Sequence, residues 1–99
     1  MKYKVTIALS AEADILASFE WGVRNWGVTK ARSWAIALRR VIKDRLAQHP
    51  KSCPLAPDLN FDRREVRHLV MDRCRVLFEI DRRTVRVLAV RGPFHEPKK

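Results

Sequence analysis

The chain has 99 residues, 46% of them hydrophobic, and carries 21 Lys/Arg against 11 Asp/Glu for a net charge of +10. This length makes residues 1–99 a single domain with one core, and the hydrophobic share excludes intrinsic disorder. No apolar run approaches the ~20 residues of a membrane span, and so basic a domain points to a polyanion or an acidic protein partner, or else to a soluble surface with a plain Lys/Arg bias.

Tyr3-Lys4-Val5-Thr6-Ile7-Ala8 alternates and is rich in β-formers, which predicts a first strand. Glu12 and Asp14 follow too soon for the preceding run to be a signal peptide. Ser10 is the expected N-cap of a helix, with Glu12 and Asp14 in its first turn, where the helix dipole favours acids. Ile15, Leu16, Phe19, Val23 and Trp26 recur at helical spacing and predict one apolar stripe. Gly22 weakens this helix and Gly27 ends it. Thr29 is the expected cap of a second helix with the stripe Ala31, Trp34, Ala35, Leu38, Val41, Ile42 and Leu46, stopped at Pro50. The joint is short enough to make the two helices an antiparallel hairpin. The second helix also carries Lys30, Arg32, Arg39, Arg40 and Lys43, either a solvated face or a contact for phosphate or an acidic partner.

Residues 50–64 contain Pro50, Pro54 and Pro57 and show no period. Leu55, Leu59 and Phe61 are expected to pin this segment to the core edge, and Lys51, Arg63 and Arg64 to flank the sheet as nucleic-acid contacts. Three β-rich runs follow, Val66–Met71, Cys74–Ile80 and Thr84–Val90. Their connections, Asp72-Arg73 and Arg82-Arg83, are too short for a crossover helix, so the runs are antiparallel neighbours. Alternation puts Cys74, Val76, Phe78 and Ile80 on one face and Arg75, Glu79 and Asp81 on the other. Arg67, Arg75, Arg86 and Arg91 lie on or at the ends of these strands, where backbone pairing holds guanidinium groups still. The tail from Arg91 to Lys99 reads as a turn followed by a frayed end. Cys53 and Cys74 lack CxxC spacing and metal-ligand partners, which suits reduced, structural cysteines in a cytoplasmic protein with no metal and no cofactor. The fold class is α+β, ordered β-α-α-β-β-β, with a helical hairpin packed on a small, mainly antiparallel sheet; the place of the first strand in that sheet stays open.

With that order on the page, the chain resembles the RelE/ParE superfamily of type II toxin–antitoxin toxins, often labelled plasmid stabilisation proteins. The likeness is carried by VTIALSAEADILASFEW, by the second helix running through Val41-Ile42-Lys43-Asp44-Arg45-Leu46 to Pro50, and above all by VRHLVMDRCRVLFEID followed by VRVLAV. Arg67 and Arg75 fall at the two arginine positions of that signature. The resemblance implies a cognate antitoxin as partner, with a homodimer or a hetero-oligomer as the assembly. It also implies one of two targets: mRNA on the ribosome, cut by RelE-like endonucleases (mRNA interferases), or DNA gyrase, poisoned without catalysis by ParE-like members.

Metal-free RNA cleavage needs a base for the 2′-hydroxyl, cations for the phosphoryl oxygens and an acid for the leaving 5′-oxygen. The resemblance puts Arg75 at the phosphate-stabilising position, since a guanidinium can bridge two phosphate oxygens and keeps its charge. His68 stands near a position where such enzymes use a basic residue; its imidazole would serve as base or acid, or merely make structural hydrogen bonds in a strand. Arg67 either joins the site or makes a salt bridge to Glu65, Glu79 or a neighbouring carboxylate, and Arg91 completes the candidate set. His49 and His95 are the remaining histidines. The chain departs from the ribonuclease pattern at Cys74, where a tyrosine is common, and in its tail, which has no tyrosine. Both departures predict weak ribonuclease activity or none.

Overall fold

The computed structural model describes residues 2–56, 65–71 and 74–92. In chain order these form β1 (Lys4–Ile7), α1 (Leu9–Trp26), α2 (Val28–Gln48), a 3-10 turn at Pro50–Ser52, β2 (Arg67–Met71), β3 (Cys74–Asp81) and β4 (Thr84–Arg91). The strands make one sheet in the order β1-β4-β3-β2. β2, β3 and β4 form the expected antiparallel meander, and β1 is parallel to β4, with Val5 beside Val85 and Ile7 beside Val87. The α+β arrangement is therefore as the sequence reads, and the parallel pairing places the strand that the sequence left unplaced. The expectations for Leu59, Phe61, Arg63, Arg64, the Asp72-Arg73 turn, His95 and the tail beyond Gly92 lie outside the described residues.

Both helices cover the same face of the sheet. Val76, Phe78, Val85, Val87 and Val90 meet Ala11, Ile15, Leu38, Ile42 and Leu46 there, all but shut off from solvent. Full burial of such a side chain contributes about 1.5–3 kcal/mol, so this layer is the main source of stability. α2 buries Ala31, Leu38, Ile42 and Leu46, as its period predicts. α1 buries only Ile15 of the expected stripe. Its inward seam is Ala11, Ile15, Ser18 and Gly22, while Leu16 stays 56% and Trp26 42% exposed. Small residues let α1 approach α2 closely, and the seam follows them instead of the largest apolar groups. At Gly22 a Cβ would stand 3.0 Å from Trp26 Cε3 and 3.2 Å from Ala31 Cβ, so hydrogen here gives Trp26 room to fold back edge-on to Trp21 and Trp34.

The caps differ from expectation too. α1 starts at Leu9 after Ala8, and α2 starts at Val28 directly after Gly27, so neither Ser10 nor Thr29 caps a helix. Gly27 does end α1: at φ 96 its N–H donates to the Val23 carbonyl at 3.1 Å, a backbone that favours glycine. Ser10 is employed elsewhere. β1 pairs with β4 only as far as Val87, which leaves the outer edge of residues 88–91 to α1. Ser10 donates its hydroxyl to the Leu88 carbonyl at 2.7 Å, and Asp14 Oδ2 accepts the Val90 N–H at 2.9 Å. Two helix side chains thus satisfy a strand edge that would otherwise present unpaired backbone groups.

Between these two bonds the strand carries a β-bulge. Phe78 pairs with Val87 but Leu77 pairs with Ala89, so Leu88 is an extra residue on β4. The core-facing set becomes Val85, Val87 and Val90, and beyond the bulge the alternation reverses.

Candidate polyanion-binding face

The sheet face turned away from the helices receives every second residue of β2 and β3. In β2 these are His68 and Val70, and in β3 they are Arg75, Leu77 and Glu79; the bulge adds Ala89 and Arg91 from β4. Val70 lies across from Arg75, and Arg75 in turn lies directly across from Arg91. Arg75 is half-buried and Arg91 exposed. Arg75 Nε donates to His68 Nδ1 at 3.2 Å. With Nδ1 accepting, the neutral imidazole carries its proton on Nε2. Three of the four residues expected in a catalytic role, His68, Arg75 and Arg91, are therefore neighbours at one end of this face.

Below them the face is floored by a small apolar cluster of Ala56, Val66 and Leu77, with Leu88 and Ala89 against it. Backbone bonds from the Ala56 N–H to the Val66 carbonyl (2.7 Å) and from the His68 N–H to the Pro54 carbonyl (3.0 Å) tie the segment after the 3-10 turn to β2. These ties fix His68 in the sheet from both sides. Further along the face Arg86 lies across from Glu79, so the cationic end fades into balanced charge.

Arg67, the fourth candidate, is on the other side. It pairs with Phe78, so its side chain leaves the sheet on the helix-covered face at the β2 edge. Its Nη1 donates to the Cys53 carbonyl at 2.6 Å and to the Lys51 carbonyl at 3.4 Å. Both of these partners are main-chain oxygens, and the guanidinium holds the loop that follows α2. Lys51 lies at the opposite end of the sheet from Arg75, near Arg82. The four strand arginines thus do not form one row.

Burial pushes the Cys53 thiol up from its ordinary pKa, against the opposing pull of Arg45 and Arg67. Cys53 and Cys74 are both free thiols, and both are buried. On the helices, Arg39 Nη2 donates to Glu12 Oε1 at 2.7 Å. That hydrogen bond, aided by charge attraction and opposed by slight desolvation, lowers the Glu12 carboxyl and raises Arg39. Among the described residues, no three His, Cys, Asp or Glu side chains converge as a metal site would need, and no helix is long and apolar enough to cross a membrane.

Sequence reading took Asp14 only as a first-turn helix acid and missed both its bond to β4 and the bulge that sets the position of Arg91. The signal was present: Val85, Val87 and Val90 are spaced two and then three apart, a skipped beat that marks an extra residue in a strand.

No family model matches the sequence, and no curated protein matches it. In three dimensions the chain is similar to a chain of a solved structure described as a chromosomal ParDE TA system from P. aeruginosa, with a TM-score of 0.73 at 18% sequence identity, over 91% of this chain and 95% of that one. At that identity the likeness shows a shared architecture: two helices on one side of a four-stranded, mostly antiparallel sheet, the RelE/ParE-like fold.

Proposed function

We propose that this chain is the toxin of a type II toxin–antitoxin module, neutralised by a cognate antitoxin, and that the end of the sheet bearing His68, Arg75 and Arg91 binds a phosphodiester. The observation that carries this reading is the Arg75–His68 hydrogen bond of 3.2 Å, made directly across the strand pair from Arg91. Like charges set opposite each other in a sheet are unfavourable, and an anion between Arg75 and Arg91 removes that cost. The fold likeness to a chain of a ParDE system supports the toxin part of the reading.

As a ribonuclease, Arg75 would clamp the non-bridging oxygens with help from Arg91, and His68 Nε2–H would hydrogen-bond the phosphate without giving up its proton, because a neutral imidazole that did so would become an imidazolate. The same tautomer leaves His68 unable to take the 2′-hydroxyl proton while it accepts from Arg75. A mechanism of this kind therefore needs both its base and its acid from outside this trio. That requirement favours a second reading, a ParE-like poison of DNA gyrase that holds a polyanion without cutting it. The ParDE neighbour points the same way, as does the position of Tyr3, the single tyrosine, which packs against the helix-side core.

Induced expression of the chain, with transcript integrity and gyrase supercoiling followed in parallel, separates the readings. Transcript cleavage that disappears in Arg75→Ala supports the endonuclease; trapped gyrase–DNA complexes with intact transcripts support the poison. Growth arrest that persists unchanged in a folded Arg75→Ala variant removes the site. Failure to bind the product of the adjacent gene, at both low and high salt, removes the module.

A further inference from the structure

The far end of the sheet holds a second concentration of positive charge. β3 and β4 are joined by the two-residue turn Arg82-Arg83, and Arg82 adopts φ 60. That left-handed backbone usually goes to Gly, Asn or Asp, and costs a larger side chain about 1 kcal/mol. A long cation kept where a small turn residue would be easier is an outlier that invites a functional explanation.

The turn does not project alone. The Lys4 N–H donates to the Arg83 carbonyl at 2.8 Å, and the Tyr3 N–H donates to the Ala47 carbonyl at 2.7 Å. Arg67 grips the Lys51 carbonyl from the other side. The start of β1 is thus tied by backbone contacts to the last turn of α2 and to the β3–β4 turn, and beside them lies a hollow of about 380 Å³ lined by Lys2, Tyr3, Lys51, Arg82 and Arg83. Four of those five residues are cations, and none is a carboxylate. The adjoining hollow, which shares Lys51 and Arg82, takes the carboxylates Glu65, Glu79 and Asp81. That adjoining hollow, with Arg67 also on its wall, balances three cations against three carboxylates, whereas cations and Tyr3 line the first. Among the described residues, none of the head groups of Lys2, Lys51, Arg82 and Arg83 is in an ion pair.

We infer that this hollow is a nucleic-acid backbone site, separate from the Arg75 end of the sheet. Six residue steps of β3 separate Arg75 from Asp81, which is about 20 Å of strand, so one phosphate cannot touch both. Four positive charges around one hollow exceed what a single peptide carboxylate neutralises, whereas successive phosphates supply several charges and acceptors on many sides. The inference does not require the Arg75 site to act as proposed.

The test uses the full chain and a fluorescein-labelled single-stranded RNA 12-mer, with DNA of the same sequence in parallel, titrated over a range of salt concentrations. Arg82→Asn/Arg83→Ser removes two charges and suits the turn, because Asn accepts the left-handed backbone. Arg32→Ser/Arg40→Ser removes the same charge from the exposed face of α2. The turn variant is expected to lose at least about tenfold in affinity and to flatten the log–log salt slope by about 1.4, two contacts at ~0.7 each, for RNA and DNA alike. The α2 variant should keep the slope, and Arg75→Ala should keep the turn-dependent part of it. Equal losses in the turn and α2 variants would overturn the site, leaving only diffuse charge attraction. Binding of poly-glutamate with no measurable oligonucleotide binding would overturn it in favour of an acidic protein partner.

Discussion

The two faces of the sheet are built from the same strands and do opposite work. On the helix-covered face every central position is Val, Phe or Leu, and the one guanidinium, Arg67 at the edge, is spent on main-chain carbonyls. On the other face the same alternation delivers Arg75, His68 and Arg91 to one end, where they stand beside each other at a partly open surface. Arginines eight residues apart in one hairpin thus become a structural brace and a candidate ligand contact. The number of residues between them does not decide which is which; the parity of the pleat does.

The contrast can be broken in several places. The largest effect is expected at Phe78, fully buried under the helices: Phe78→Ala should cost about 3–5 kcal/mol, while Val70→Ala on the opposite face, where Val70 is 59% exposed, should stay within about 0.5 kcal/mol. Urea unfolding measures both, and similar losses would mean that the faces are not energetically distinct.

Next come the arginines. Arg67→Ala strips a partner from the Cys53 carbonyl and should destabilise by about 1–3 kcal/mol without weakening oligonucleotide binding at the Arg75 end. Arg75→Ala should do the reverse, with at most about 1 kcal/mol lost in unfolding and the phosphate-dependent activity gone. If the two variants behave alike, the division of labour fails.

The smallest effect belongs to the exposed Glu12–Arg39 pair, worth about 0.2–1 kcal/mol at a solvated site. Because Glu12 is lowered from 4.5 in the folded chain, its contribution is fully present above that pH and is lost as pH falls through the lower folded value. Denaturation midpoints of the wild type and Glu12→Gln should therefore differ at neutral pH and converge in acid.

Much of this was legible beforehand, and the gaps have physical causes. The period of α2, the two-residue Arg82-Arg83 link and the alternation of β3 are local signals, and each reads true. The face of Arg67 was hidden because His68-Leu69-Val70-Met71 puts apolar groups on both sides of β2, so no alternation marks the inner one. Ser10 misled because its hydroxyl, a good cap in isolation, bonds to a carbonyl 78 residues away. α1 misled because Ser18 and Gly22, which no hydrophobic count favours, are what permit close packing. The parallel partner of β1 is a long-range choice with no local trace.

The extra residue at Leu88 has one more consequence. Had β4 kept all its residues in unbroken alternation instead of bulging, Val85, Val87, Ala89 and Arg91 would share a side, and Arg91 would be driven under the helices in place of Val90. The bulge thus absorbs the extra residue and holds the phase, keeping a valine inside and a cation outside at the end of the strand. The groups that lock it, Ser10 and Asp14, belong to a helix that never reaches that surface. Deleting Leu88 would therefore restore a regular ladder with Val90 still inside and Arg91 still outside, whereas straightening the bulge with every residue kept would relocate a charge without altering a single charged residue.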